Sequence, residues 1–140
     1  MQDLPHNYIV SASAEGANNV TVSAAGLPDL ETAGPPQFGG PGDVWSPETM
    51  LVGSVANCFI LSFRAIARKA KLDWVTLECE VDGELDKIEK FNQFVGFSVR
   101  ASLTIPNKKD RKKAGVILEK EMAAGRIEKN KKNIEILLKA

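Results

Sequence analysis

Two stretches near the start, HNYIVSASA (His6–Ala14) and NVTVSAAG (Asn19–Gly26), alternate apolar with polar positions and are rich in β-branched residues. With the turn-forming EGANN between them, they predict a hairpin. The Gly- and Pro-dense LPDLETAGPPQFGGPGDVW predicts a loop with room for one further short strand. Ser46 is a good N-cap, Pro47 suits a first helical position, and Glu48 puts negative charge in a first turn. Together they predict a helix from Pro47 to about Lys71. From Met50 to Phe63 that helix is apolar nearly all round, which implies contacts on several sides. RAIARKAK then loads its C-terminal end with cations, as the helix dipole favours.

Alternation returns in WVTLECEVDGEL, with Val75, Leu77, Cys79 and Val81 on one face. It continues in FVGFSVRASLTIP, with Val95, Phe97, Val99, Ala101, Leu103 and Ile105. Both predict long antiparallel strands with one wet face. Asn107 is placed to cap a second helix, KKDRKKAGVILEKEMAAG, and NIEILLK predicts a closing strand. The order of elements is that of an α+β fold in a single domain over residues 1–140.

Composition narrows the class of protein. Hydrophobic residues make up 44% and charged residues 26% of 140, as in ordinary globular domains. The Met50–Phe63 run is short and contains Ser54, Asn57 and Ser62, so a core helix is expected rather than a membrane span. The opening MQDLPHNYIV has neither a basic n-region nor an apolar h-region, so no export signal is expected. With only two cysteines, a reducing, cytoplasmic setting follows as the expectation.

Zero net charge conceals an asymmetry. Residues 1–63 carry Asp3, Glu15, Asp29, Glu31, Asp43 and Glu48 but no Lys or Arg. All eighteen bases lie from Arg64 onward. The clusters KKDRKK and KNKK come without a helix-turn-helix, zinc finger or aromatic platform, so they read as solvated faces and no nucleic-acid partner is expected. His6, the single histidine, lies near a terminus and is expected to be incidental.

Cys58, within the apolar helix, has two readings. It is a packed small hydrophobe, or it is a protected reactive thiol. The second needs a lowered thiol pKa, supplied by a helix N-terminus, a cation or a metal. The helix start is twelve residues away and its influence fades within a turn. Arg64 is roughly 120° further round the helix. Ser54, Val55, Leu61 and Ser62 along the same stripe are small or apolar, so any cation must come from elsewhere in the fold or from another subunit. Glu48 likewise either favours the helix start or serves a site. It is about 15 Å along the helix from Cys58, so only a second copy could bring the two together.

The segment PPQFGGPGDVWSPETMLVGSVANCF resembles the OsmC/Ohr family of thiol-dependent hydroperoxide reductases, in its Gly-rich loop, Pro-Glu helix start and cysteine ten residues after the Glu. The resemblance implies antiparallel sheets with a long buried central helix, in an intertwined homodimer with interface active sites. It also implies Cys58 as the peroxidatic thiol and Glu48 as the acid orienting a catalytic arginine, with neither cofactor nor metal. The implied reaction reduces an organic hydroperoxide, in oxidative stress defence, with an external thiol as reductant.

The chain departs from the family at two points. Gly125 stands where the second cysteine is expected, and the N-terminal strands lack the arginine. Cys79, on an apolar strand face, reads as core. The alternative function is a catalytically impaired member that binds a small apolar or thiol ligand.

Overall fold

The structure is a computed structural model describing residues 3–123 and 134–139. Two compact units divide the chain, Met1–Leu51 and Val52–Ala140.

The first unit is a three-stranded antiparallel sheet, β1 (Ser11–Ala14), β2 (Val20–Ser23) and β3 (Leu30–Thr32), paired in that order. β1 is shorter than the alternation suggests. Its ladder begins at Ser11↔Ser23, and beyond Ser23 the chain turns, with the Leu27 amide donating to the Ala24 carbonyl. His6–Val10 therefore has no strand opposite it in that ladder, and Tyr8 and Ile9 are exposed. The short third strand is present.

Thr32 donates to the Val20 carbonyl, and the Ala33 amide donates to the carbonyl of Trp45, so the Gly-rich loop is clipped at both ends. Inside it, Pro36–Phe38 forms a 3-10 turn closed by Gly39 at φ 82°. Gly40 lies so close to the Gly34 carbonyl that any Cβ there would overlap it. Helix α1 (Pro47–Lys69) starts as the sequence indicates. Ser46 Oγ accepts from the Thr49 amide at 3.1 Å, while the Ser46 amide donates to Thr49 Oγ1 at 2.9 Å. This reciprocal pair satisfies two otherwise orphaned donors.

The second unit holds most of α1, the long hairpin β4 (Thr76–Ile88) and β5 (Phe91–Thr104), helix α2 (Arg111–Ala123) and strand β6 (Ile134–Lys139). β4 and β5 pair antiparallel, but β6 joins β5 in parallel. The chain returns through α2, the crossover that a parallel neighbour requires. Asn107 makes no side-chain cap bond; a 3-10 turn, Lys108–Asp110, leads into α2 instead.

α1 buries one stripe, Phe59, Phe63 and Ala67, against Val99, Ala101, Leu103 and Ile105 of the β5 segment and Ala114, Ile117 and Leu118 of α2. Spacing of four residues keeps that stripe on one face. Gly83 permits the close approach, because a Cβ there would stand 2.6 Å from Val52 Cγ2. The sequence also places Val95 with Phe97, and here the structure differs. A bulge at Glu84/Leu85 leaves Gly96 opposite Glu84 and Phe94 opposite Leu85, so Val95 is the extra residue. Phe94 then stacks on Phe97, with ring centroids 5.3 Å apart.

The C-terminus of α1 ends in a Schellman turn. The Leu72 amide donates to the Ala67 carbonyl and the Lys71 amide to that of Arg68, with Lys71 at φ 51°. Leu72 is thereby driven into the core, and Lys113 Nζ donates to the Lys71 carbonyl at 3.1 Å, tying α2 to this turn.

Candidate functional site

Cys58 sits mid-way along α1, next to the buried Phe59 and about 100° round the helix from it. The neighbouring open positions are Leu51, Ser54, Asn57, Leu61 and Arg64, so among the described residues this side of the apolar helix is left largely uncovered. The cysteine is exposed, which removes the reading of a packed core thiol within the single chain. Its Sγ lies 3.8 Å from the Ser62 hydroxyl, one turn on. α1 is 23 residues long, beyond the Met50–Phe63 run, and an 18-residue window of it reaches mean hydropathy 1.7, so by length and composition it could also cross a membrane. The stripe Phe59–Phe63–Ala67 is nevertheless packed against protein.

Glu48 occupies the first turn of α1, as the dipole favours. Its Oε2 is buried without a hydrogen-bond partner, alone in that respect among the side-chain oxygens and nitrogens of the described residues. A carboxylate oxygen removed from water without a donor is costly, of order 1–3 kcal/mol. The helix start therefore does not account for all of Glu48.

Cys79 takes the place the strand pattern gives it, packed against the core and opposite Ala101. Burial pushes its thiol up from 9.0 to about 11, because the thiolate loses hydration. At pH 8 only about one Cys79 in a thousand would be ionised. Iodoacetamide at that pH should therefore alkylate Cys58 alone, with Cys79 labelled only on approach to pH 11 or on unfolding; peptide mass spectrometry reads both. The unfolded thiol loses its proton first, so stability should fall as pH rises from 9 to 11. For a half-exposed group the loss is at most about 1–2 kcal/mol. Gly125 lies outside the described residues. Among the described residues no group of three or more His, Cys, Asp and Glu could hold a metal ion.

The C-terminal half of α1 also borders a groove of ≈ 390 Å³, lined by Leu61, Arg64, Ala65, Arg68, Leu72 and Trp74 and not by Cys58. The four-residue spacing of Arg64 and Arg68 was the available signal. The opposite wall depends on the Schellman turn folding Leu72 and Trp74 back, which no local pattern announces. Trp74 is held edge-on to Phe63, 5.5 Å between centroids.

A sequence model described as OsmC-like protein matches residues 40–124, more than half of the chain and the part that contains both Glu48 and Cys58. The chain belongs to the OsmC-like family. Its fold agrees with solved relatives. The organic hydroperoxide resistance protein OsmC of Legionella pneumophila gives a TM-score of 0.75 at 22% identity, covering 99% of this chain and 100% of that one. An OsmC-like protein of unknown function from Vibrio cholerae gives 0.78 at 13% identity, over 95% and 100%. OhrB of Bacillus subtilis gives 0.61 at 19%, over 96% and 98%. At such identities the likeness is one of fold: the α+β architecture with its long central helix. Among curated proteins the OsmC-like chain is 28% identical over 79 residues to the uncharacterized protein YmaD of Bacillus subtilis. That match covers 56% of this chain, which spans about half (53%) of the relative's length.

Proposed function

We propose that this OsmC-like chain is a thiol-dependent peroxidase that reduces organic hydroperoxides through Cys58, in defence against oxidative stress. The observation that carries the reading is the placement of the two thiols. Cys58 is open to a reactant on α1, whereas Cys79 is packed and held protonated. The Cys58 thiolate attacks the distal oxygen of ROOH, the O–O bond breaks, the alkoxide takes up the proton that the thiol gave up and leaves as ROH, and the sulfur is left as sulfenic acid. With one reactive cysteine, an external thiol must complete the cycle.

The assembly that suits this chemistry is a homodimer with sites at the interface. Three features favour a second copy: the open apolar face of α1, with Leu61 52% exposed; the exposed Tyr8–Val10 segment; and the orphaned Oε2 of Glu48. The last asks for a cation, and residues 1–63 contain no Lys or Arg to supply it. A cation lent by the twin protomer would also favour the thiolate. The working assembly needs neither membrane nor nucleic acid, and a reducing cytoplasm would supply its thiol.

The test is steady-state turnover of cumene hydroperoxide with a dithiol, run beside light scattering at micromolar concentration. Expected are consumption of hydroperoxide well above the protein-free rate and the mass of a dimer. A hydroperoxide loss no faster than buffer, or a monomer throughout, defeats the corresponding part of the proposal. The second reading, a ligand-binding protein without turnover, is favoured by the uncharged character of the Ser62 hydroxyl beside Sγ. It predicts binding of small apolar or thiol compounds in a protein that leaves hydroperoxide untouched.

A further inference from the structure

We infer that the groove bordered by Leu61, Arg64, Arg68 and Trp74 is filled by a second copy of the chain, which seats its N-terminal residues 3–10 there. The inference rests on the homodimer proposed above and names the two surfaces that meet. Three observations lead to it.

First, the groove is mixed in a way that suits a peptide segment. Its six lining residues all lie in the second unit. Leu61, Ala65, Leu72 and Trp74 supply apolar walls, and Arg64 and Arg68, one helical turn apart on α1, supply two guanidinium forks. Cys58 is not in the lining, so a segment held here does not take the place of the thiol. Second, residues 5–10 belong to no helix, strand or turn, and Tyr8, Ile9 and Val10 form an unbroken apolar run that is exposed, Tyr8 by 87%. Such a run is unfavourable in water unless something covers it. A tyrosine ring set among arginines and a tryptophan gains cation–π and edge contacts beyond its buried area. Third, the charges match. The first unit carries six acids and neither Lys nor Arg, and the acid of the segment itself, Asp3, is exposed. Five residues separate Asp3 from Tyr8, at most about 17 Å when extended, while Leu61 to Arg68 covers about 10 Å of helix and the arginine side chains reach further. One segment can therefore place its ring on Trp74 and its carboxylate on the guanidinium groups.

Another exposed apolar pair, Ile88 and Phe91 at the tip of the β4–β5 hairpin, fits less well, because Lys87 and Lys90 beside it repel two arginines. Under two-fold symmetry each protomer lends its segment and receives that of its partner. The contact then occurs twice, the assembly closes as a dimer, and Leu61 on the open side of α1 is covered.

Sedimentation velocity, which reads the dimer dissociation constant, tests the contact without hydroperoxide. Tyr8→Ala, and separately Arg64→Gln with Arg68→Gln, should each weaken the dimer about tenfold, and all three together less than about thirtyfold, because they remove one shared contact. About 0.5 M salt should weaken the wild type and leave the arginine variant nearly unchanged. Tyr8 and both arginines are exposed, and an unchanged far-UV spectrum confirms that the variants fold. Disulfide trapping gives the second readout, in chains with Cys58 and Cys79 both replaced by serine. Tyr8→Cys mixed with Ala65→Cys should give a covalent heterodimer on mild oxidation, and Tyr8→Cys mixed with Val116→Cys should give none. A dimer that no substitution weakens, or losses that multiply to a full hundredfold, overturns the inference and leaves the homodimer standing. So does a disulfide that forms within one chain carrying both Tyr8→Cys and Ala65→Cys at high dilution. A monomer throughout removes the homodimer as well. The expected losses of affinity in a protein that leaves hydroperoxide untouched would keep the contact and remove the peroxidase reading.

Discussion

Replacing Cys58 with serine should abolish thiol-dependent hydroperoxide turnover, by a factor of at least about 10³, because a serine hydroxyl is not ionised at neutral pH and does not form a sulfenic acid. Cys79→Ser should retain most of the wild-type rate, since the Cys79 thiol is packed on the sheet and pushed up to about 11. The pair is informative because the chain has only these two cysteines. Intact mass after a stoichiometric pulse of hydroperoxide without thiol gives the same answer structurally. The wild type and Cys79→Ser should each gain about 16 or 32 Da, one or two oxygens, while Cys58→Ser gains neither. A loss of about 2 Da from an internal Cys58–Cys79 disulfide would mean that Cys79 leaves its place in the core and acts as resolver. Equal, slow turnover by wild type and Cys58→Ser would remove the enzyme and leave the binding protein.

Much of this site is legible in the sequence. Ser46, Pro47 and Glu48 announce the start of α1 because a cap, a fixed φ and an early negative charge act locally. The alternation of β4 and β5 announces a two-faced hairpin for the same reason. What escaped was decided by partners distant in sequence. α1 reads as apolar nearly all round, yet among the described residues its fully buried positions are the Phe59–Phe63–Ala67 stripe, with Ile60 and Ile66 partly buried beside it. Hydropathy cannot say which face the chain itself covers, so the exposure of Cys58 was hidden in plain composition. Val95 lost its place to a bulge set by pairing across the hairpin, and β1 lost five expected residues because β2 has no ladder to offer them. The groove needed both a helix wall and a returning segment. Its arginines could be counted in the sequence, but their shared cavity with Trp74 could not.

The largest loss of stability is expected from Phe63→Ala. Phe63 is fully buried on α1, edge-on to Trp74, in the cluster that joins the helix to β5 and α2. Truncation removes the transfer free energy of the ring and leaves a cavity that close-packed neighbours fill poorly, a combined cost of about 3–5 kcal/mol. Against a typical total of about 5–15 kcal/mol, that is enough to bring a domain to the edge of unfolding. Urea denaturation should show the midpoint falling with little change in slope. Leu61→Ala, two residues earlier but on the open face, is the matched comparison. For an isolated chain it should cost less than about 0.5 kcal/mol, as surface substitutions do. If a second copy covers that face, its cost should grow to 1 kcal/mol or more and depend on protein concentration, as linkage to association requires. Phe63→Ala should be severe at every concentration, since the contacts it breaks lie within one chain. A Phe63→Ala variant as stable as the wild type would mean that α1 is not anchored by its buried stripe. The side of the helix that presents Cys58, and with it the groove of Arg64 and Arg68, would then have no fixed support.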